Sequence, residues 1–180
     1  NEYDTVSDQL EFRENYERKF KQYENLERLI TTSRKTAVAI YPKERSYSVK
    51  ADYMLKNKSD KPLNQIFITE RIALSNVSIE NATLILQDSV FGSYLFEFKS
   101  ALQPNDSVNF TYELKKTLKG YDEDNTIVNN GSYITHRNFE PVLGYSNGLE
   151  IRNNLERKKR GLPKRIIDLK MAAHIVSEDD

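Results

Sequence analysis

The chain has 180 residues and 21.0 kDa, about one domain's worth, and its 38% hydrophobic content is modest for a single core. Lys plus Arg (27) equal Asp plus Glu (27), so overall charge supports neither a strongly basic nucleic-acid binder nor an acidic solvating segment. The absence of Cys excludes disulfides, thiolate chemistry and Cys-ligated metals, and with only His136 and His174 a three-histidine metal site within the chain is excluded too.

Residues 8 to 30 place Phe12, Tyr16, Phe20, Tyr23, Leu26 and Ile30 on one helical stripe, with dense charge elsewhere. That spacing predicts an amphipathic helix, with Asp8 and Glu11 as a capping box. From Arg34 the period becomes two. Tyr47, Val49, Ala51, Tyr53 and Leu55 share one face of a strand whose other face is wet, and Pro42 to Arg45 close a hairpin with the preceding TAVAIY. Asn57 to Pro62 reads as a turn, and further strands are expected at 65 to 69, 76 to 87, 93 to 99 and 107 to 116. A polar loop around Asp122-Glu123-Asp124 precedes ordered coil at 133 to 148. A charged helix over 149 to 160 then ends at Gly161 and Pro163, and a closing strand follows through Ile175.

The composition, Tyr 11 and Phe 8 with no Trp, 6 Gly and 5 Pro, suits packed strands better than a glycine-rich nucleotide fold. The fold expected is mainly β, an antiparallel sandwich or saddle-like sheet with an N-terminal amphipathic helix and a short C-terminal one. Its parts are a helical segment at 1–33, a β-domain at 34–176 and an acidic tail at 177–180. No run approaches 18 apolar residues and no signal peptide opens the chain; beginning at Asn1 rather than Met, it reads as an excised or processed piece of a longer parent.

Catalytic signatures are missing. There is no H-E-x-x-H helix to hold zinc beside a general base, no G-x-S-x-G elbow and no phosphate loop of either glycine-rich type. The two histidines read as structural or surface residues, and the acidic run at 122 to 124 lacks calcium-loop spacing. The strongest charge concentration is a basic patch of Arg157, Lys158, Lys159, Arg160, Lys164 and Arg165, read as a solvated face or an inter-domain contact. Six N-x-[ST] triplets, at Asn57, Asn76, Asn81, Asn105, Asn109 and Asn130, read as coincidence in an Asn-rich chain.

The order IYPKERSYSVKADYMLKNKSDKPLNQIFI, LQPNDSVNFTYEL, NNGSYITHRNFEPVLGY and LERKKRGLPKR resembles the N-terminal β-domain of the zinc aminopeptidase N family, over about residues 34 to 165. The likeness is nearest to diverged copies that Bacteroidetes-type bacteria carry on large membrane proteins related to ABC-transporter permeases. Gln103-Pro104-Asn105-Asp106 matches the family's turn before a long strand, with Asn105 where glycine is usual; asparagine tolerates the left-handed backbone such a turn needs. His136-Arg137-Asn138-Phe139-Glu140-Pro141 resembles the family's Arg followed by Phe-Pro, with Glu140 intruding between Phe139 and Pro141. Asn129 and Asn130 stand nearest to where active relatives hold a substrate amino terminus, and neither is the expected residue.

The resemblance implies a non-catalytic accessory domain that packs against, and shapes the cleft of, a separate downstream catalytic-like domain. It implies no cofactor here, with any zinc in the parent's catalytic domain. It places the module on the extracytoplasmic face of a bacterial inner membrane, with the parent's transmembrane helices as a second candidate partner and no nucleic acid. His136, Arg137, Phe139, Pro141 and Tyr145 are the expected interface residues. The alternative is a free-standing extracytoplasmic β-sandwich binding carbohydrate or protein through Tyr94, Tyr121, Tyr133 and Tyr145.

Overall fold

The computed structural model describes residues 5–70, 72–118, 127–128 and 131–165. Expectations for Tyr121, the 122–124 acidic run, Asn129, Asn130, His174 and the closing strand fall outside these residues. The chain divides into two compact units, one of residues 20–147 and one of the two chain ends, 1–19 with 148–180.

The larger unit is built on two four-stranded antiparallel sheets, as the alternating sequence predicts. The first has the order β1 (Ile30–Tyr41), β2 (Ser46–Lys56), β7 (Ser107–Thr117), β4 (Leu74–Ile79). The second runs β10 (Val142–Leu143), β3 (Leu63–Thr69), β6 (Ser93–Leu102), β5 (Ala82–Asp88). A two-residue ladder pairs β8 (Ile127–Val128) with β9 (Gly131–Ser132).

The core lies between the two four-stranded sheets. Tyr47, Val49, Ala51, Tyr53 and Leu55 of β2 and Val108, Phe110, Tyr112 and Leu114 of β7 are buried together with Ile66, Ile68, Tyr94, Phe96 and Phe98 of the second sheet. β3 reads IFI without alternation because its outer face is covered as well. Tyr23 stacks on Phe67 at 5.0 Å between centroids, and Phe20 contacts Phe67 at 5.4 Å and Phe91 at 5.7 Å.

The expected strand at 76 to 87 is in fact two strands in different sheets. β4 pairs β7 and β5 pairs β6, and the chain passes between sheets at Glu80 and Asn81, where Asn81 takes φ 57°. Asn76 (φ 48°) sits in a bulge between Ser75 and Ser78, and Asn105 (φ 70°) makes the turn before β7 as expected. Three asparagines of the N-x-[ST] triplets thus occupy the left-handed backbone that asparagine tolerates.

Asn57 is wholly buried and ties two turns together. Its side-chain amide donates to the carbonyls of Lys61 (2.9 Å) and Leu102 (3.0 Å), and its side-chain oxygen accepts from the Ser59 N–H (3.0 Å) and hydroxyl (2.8 Å). Its backbone carbonyl accepts from the Asn105 N–H at 2.8 Å, which fastens the β2–β3 turn to the β6–β7 turn.

In the smaller unit α1 spans Val6–Phe20, not 8 to 30. The capping box is Thr5 with Asp8: the Thr5 N–H donates to Asp8 Oδ2 (2.8 Å), and the Asp8 N–H donates to Thr5 Oγ1 (3.2 Å). The Thr5 hydroxyl, donating to Asp8 Oδ2 at 2.7 Å, is the main reason that the Asp8 carboxyl is held below its ordinary value, and the Thr5 N–H is the second. After Phe20 one 3-10 turn, Lys21–Tyr23, ends the helical run, and Ile30 already belongs to β1. The second helix is shorter than expected too. α2 spans Asn154–Lys159 because Asn153 caps it, accepting from the N–H groups of Leu155 (2.8 Å) and Glu156 (3.4 Å). It ends where Gly161 (φ 68°) permits a Schellman closure, with Gly161 N–H to Lys158 O (3.2 Å) and Leu162 N–H to Arg157 O (2.9 Å). Among the described residues no helix is long and apolar enough to cross a membrane.

Candidate functional site

Residues 133 to 143 have almost no regular structure, yet nearly every turn is fastened. Thr135 and Asn138 form a capping box around the 3-10 turn His136–Asn138, with Asn138 Oδ1 accepting from the Thr135 N–H (2.8 Å) and hydroxyl (2.9 Å). Two core tyrosines hold the turn from below. The Tyr47 hydroxyl donates to Asn138 O at 2.9 Å and the Tyr112 hydroxyl to Phe139 O at 3.0 Å. Burial is the main reason, and the Tyr53 hydroxyl bond the second, that the Tyr112 phenol is pushed far above its ordinary range. On one flank Arg34 of β1 pairs with Glu140 at 2.8 Å, and on the other Val142 and Leu143 add a short strand to β3.

The sequence-predicted interface residues separate accordingly. His136 and Arg137 are exposed at the crest of the turn, with Tyr133 beside them in the chain and 79% exposed. Phe139 is half-buried against the core, and Pro141 is buried. Tyr145 is not an accessible anchor: it is 1% exposed, with Lys21 Nζ 5.6 Å from its ring centroid and its carbonyl accepting from Arg28 at 2.7 Å. The chain reaches it through Gly144, whose φ of 126° disfavours a side chain and where a Cβ would lie 2.6 Å from Arg28 Nε. Tyr94 is buried as well, its hydroxyl accepting from the Leu74 N–H at 2.9 Å. Two of the four tyrosines considered for sugar or protein contact are therefore core residues.

The basic patch also needs correction. Arg157 is 2% exposed and contributes no surface charge; its guanidinium meets Glu17 through two bonds, of 2.6 and 2.7 Å. Arg160 pairs with Glu14 at 2.8 Å, Lys159 with Glu156 at 2.7 Å, and Arg165 lies 3.9 Å from Glu150. The Arg160 bond is the largest reason that the Glu14 carboxyl is held below its ordinary value. Lys158 and Lys164 stay exposed, on the rim of a recess of about 670 Å³ that Leu155, Gly161, Leu162 and Pro163 also line.

Sequence reasoning missed the supports of the turn. Tyr47 and Tyr112 read as plain core aromatics, and only their hydroxyls, which a buried tyrosine has to satisfy, hinted at partners. The intruding Glu140 was visible, but its partner Arg34 lies 106 positions away. Among the described residues no group of three or more His, Asp or Glu side chains is placed to hold a metal ion. No protein-family model matches the sequence, and no curated protein matches it.

Proposed function

We propose that this chain is a non-catalytic accessory β-module of a larger, membrane-attached, zinc-aminopeptidase-like protein on the extracytoplasmic side of a bacterial inner membrane. It packs against a separate catalytic-like domain and helps shape that domain's cleft. The observation that carries the reading is the fastened turn at 133 to 143. An irregular segment held by two buried tyrosine hydroxyls, a capping box and the Arg34–Glu140 pair presents Tyr133, His136 and Arg137 outward in fixed positions. Preorganised polar and aromatic groups lose little freedom on docking, which is what a permanent contact between domains needs. The same stretch carries the HRNFEP resemblance, so geometry and sequence point to one surface. The reading gives this chain no bond-breaking role and leaves any zinc to the catalytic domain.

The complete reading frame tests it. Membrane spans before residue 1 and an H-E-x-x-H helix beyond residue 180 are the expected result. A short secreted protein without either would overturn the reading and return the free-standing binding module, whose remaining described contact is Tyr133.

A further inference from the structure

β1 is an edge strand, paired with β2 on one side and with no described strand on the other. It is twelve residues long, and eleven of them are exposed. Its second half is apolar, Ala37-Val38-Ala39-Ile40-Tyr41, with Val38 at 39%, Ile40 at 42% and Tyr41 at 42% exposure. Proteins usually blunt such edges with proline, a bulge or an inward charge. The irregularity in β1 lies near Thr31 and Ser33, away from the apolar half, and Pro42 comes only after the strand ends. Between Thr36 and Tyr41 there is no charge.

We propose that this edge is a self-association surface, on which a second copy of the chain pairs antiparallel, β1 to β1, with Val38 on the twofold axis. In an antiparallel ladder, two opposed residues either both turn their N–H and C=O into the shared gap or both turn them away, and the two kinds alternate along the strand. The two numbers of a self-pair therefore have an even sum, and one residue faces its own copy. Centring on Arg34 or Lys35 would set like charges face to face. Centring on Val38 pairs Val38 with Val38, Ala37 with Ala39, Thr36 with Ile40 and Lys35 with Tyr41. Lys35 then meets a ring, and the Lys35–Tyr41 pair brings an ammonium to an aromatic face, while Arg34 keeps Glu140 as its partner.

Val38 and Ile40 lie on the core side of the first sheet, opposite Val49 and Tyr47 in register, and stay half-open because nothing described lies beyond the edge. A second copy covers them and joins two four-stranded sheets into one. The contact is isologous and uses up both β1 edges, so it closes at a dimer instead of growing into a fibre.

The experiment uses the 180-residue chain. Sedimentation velocity at roughly 100 μM, suited to a modest interface, is expected to show a dimer. Val38→Lys sets two ammonium groups on the axis and is expected to weaken the dimer about tenfold or more, with unchanged circular dichroism. Because the chain has no cysteine, Val38→Cys provides a second reading. Opposed Cα atoms on paired strands stand about 4.5–5.5 Å apart, within disulfide range, so mild oxidation should link Val38→Cys dimers. It should leave Ile85→Cys, 48% exposed on β5 at the edge of the other sheet, largely unlinked. A monomeric parent chain, a dimer that survives Val38→Lys, or equal linking of the two cysteine variants would each overturn the proposal.

Discussion

Arg157 and Glu17, 140 positions apart in the chain, form a two-pronged ion pair with both side chains 3% exposed. Nη1 donates to Oε2 at 2.7 Å and Nη2 to Oε1 at 2.6 Å, while Nη1 also donates to Ile151 O (2.9 Å) and Nε to Pro163 O (2.7 Å). Four of the five N–H donors of the guanidinium are engaged in these bonds, which pin α1 to the segment on either side of α2. Removing one partner leaves a buried charge without its counterpart, so Glu17→Ala should cost about 3–5 kcal/mol in urea unfolding. Glu17→Leu combined with Arg157→Met should recover part of that loss, since neither charge is then stranded. A Glu17→Ala variant as stable as the parent would show that the pair is solvated.

Asn57 gives a second stability test. All the polar capacity of its side chain is engaged, and Asn57→Ala orphans the carbonyl of Leu102 inside the turn. The expected loss is about 2–4 kcal/mol. Asn57→Asp should be no milder, because a carboxylate has no N–H to give Leu102. Melting temperatures within a degree of the parent's for both variants would contradict the clamp.

Alkaline pH should weaken the fold. Burial raises the Tyr112 phenol far above its ordinary 10.0, and burial also raises Tyr94, outweighing the opposing Leu74 N–H. Between the unfolded value and the raised folded one, the unfolded chain loses a proton that the folded chain keeps. Stability is therefore complete below about pH 10 and falls above it, by up to about 1.4 kcal/mol per pH unit for each tyrosine. Tyr112→Phe, measured by denaturant unfolding from pH 8 to 11, should make the decline shallower. An identical slope in parent and variant would remove Tyr112 as its source.

Arg137 and Tyr145, paired as interface candidates by sequence, should part company in the folded chain. Tyr145→Ala opens a cavity beneath Lys21 and should cost about 3–5 kcal/mol. Arg137→Ala touches an exposed side chain and should change stability by no more than about 0.5 kcal/mol. Equal melting temperatures for the two variants would contradict the burial of Tyr145.

What was legible in the sequence had one dry face and one wet one. β2 and β7 announce themselves because Tyr47 to Leu55 and Val108 to Leu114 alternate strictly, and the burial follows residue by residue. The Asn105 turn was readable because few residues accept a left-handed backbone. The helix limits were not: Tyr23 continues the aromatic stripe of α1 but stacks on Phe67 from a 3-10 turn, and periodicity does not distinguish the two. Nor was the break at Asn81, where a run of strand-forming residues conceals a change of sheet. Arg157 reads as surface charge because the carboxylate that permits its burial sits at the other end of the chain. The ordered coil expected at 133 to 148 was readable from its lack of period, while the hydroxyls that fasten its turn come from strands whose pattern reports only their apolar face.

Isothermal titration of this chain with the catalytic-like domain that the proposed function places downstream of it, comparing the unaltered chain with a His136→Ala, Arg137→Ala double variant, tests the central claim most directly. Both side chains are exposed on a turn held by other residues, so the variant should fold as the parent does. The account predicts binding weakened by about 1–3 kcal/mol, the scale of modest interface anchors. Equal affinity of the two chains for that domain would contradict the turn as the docking surface.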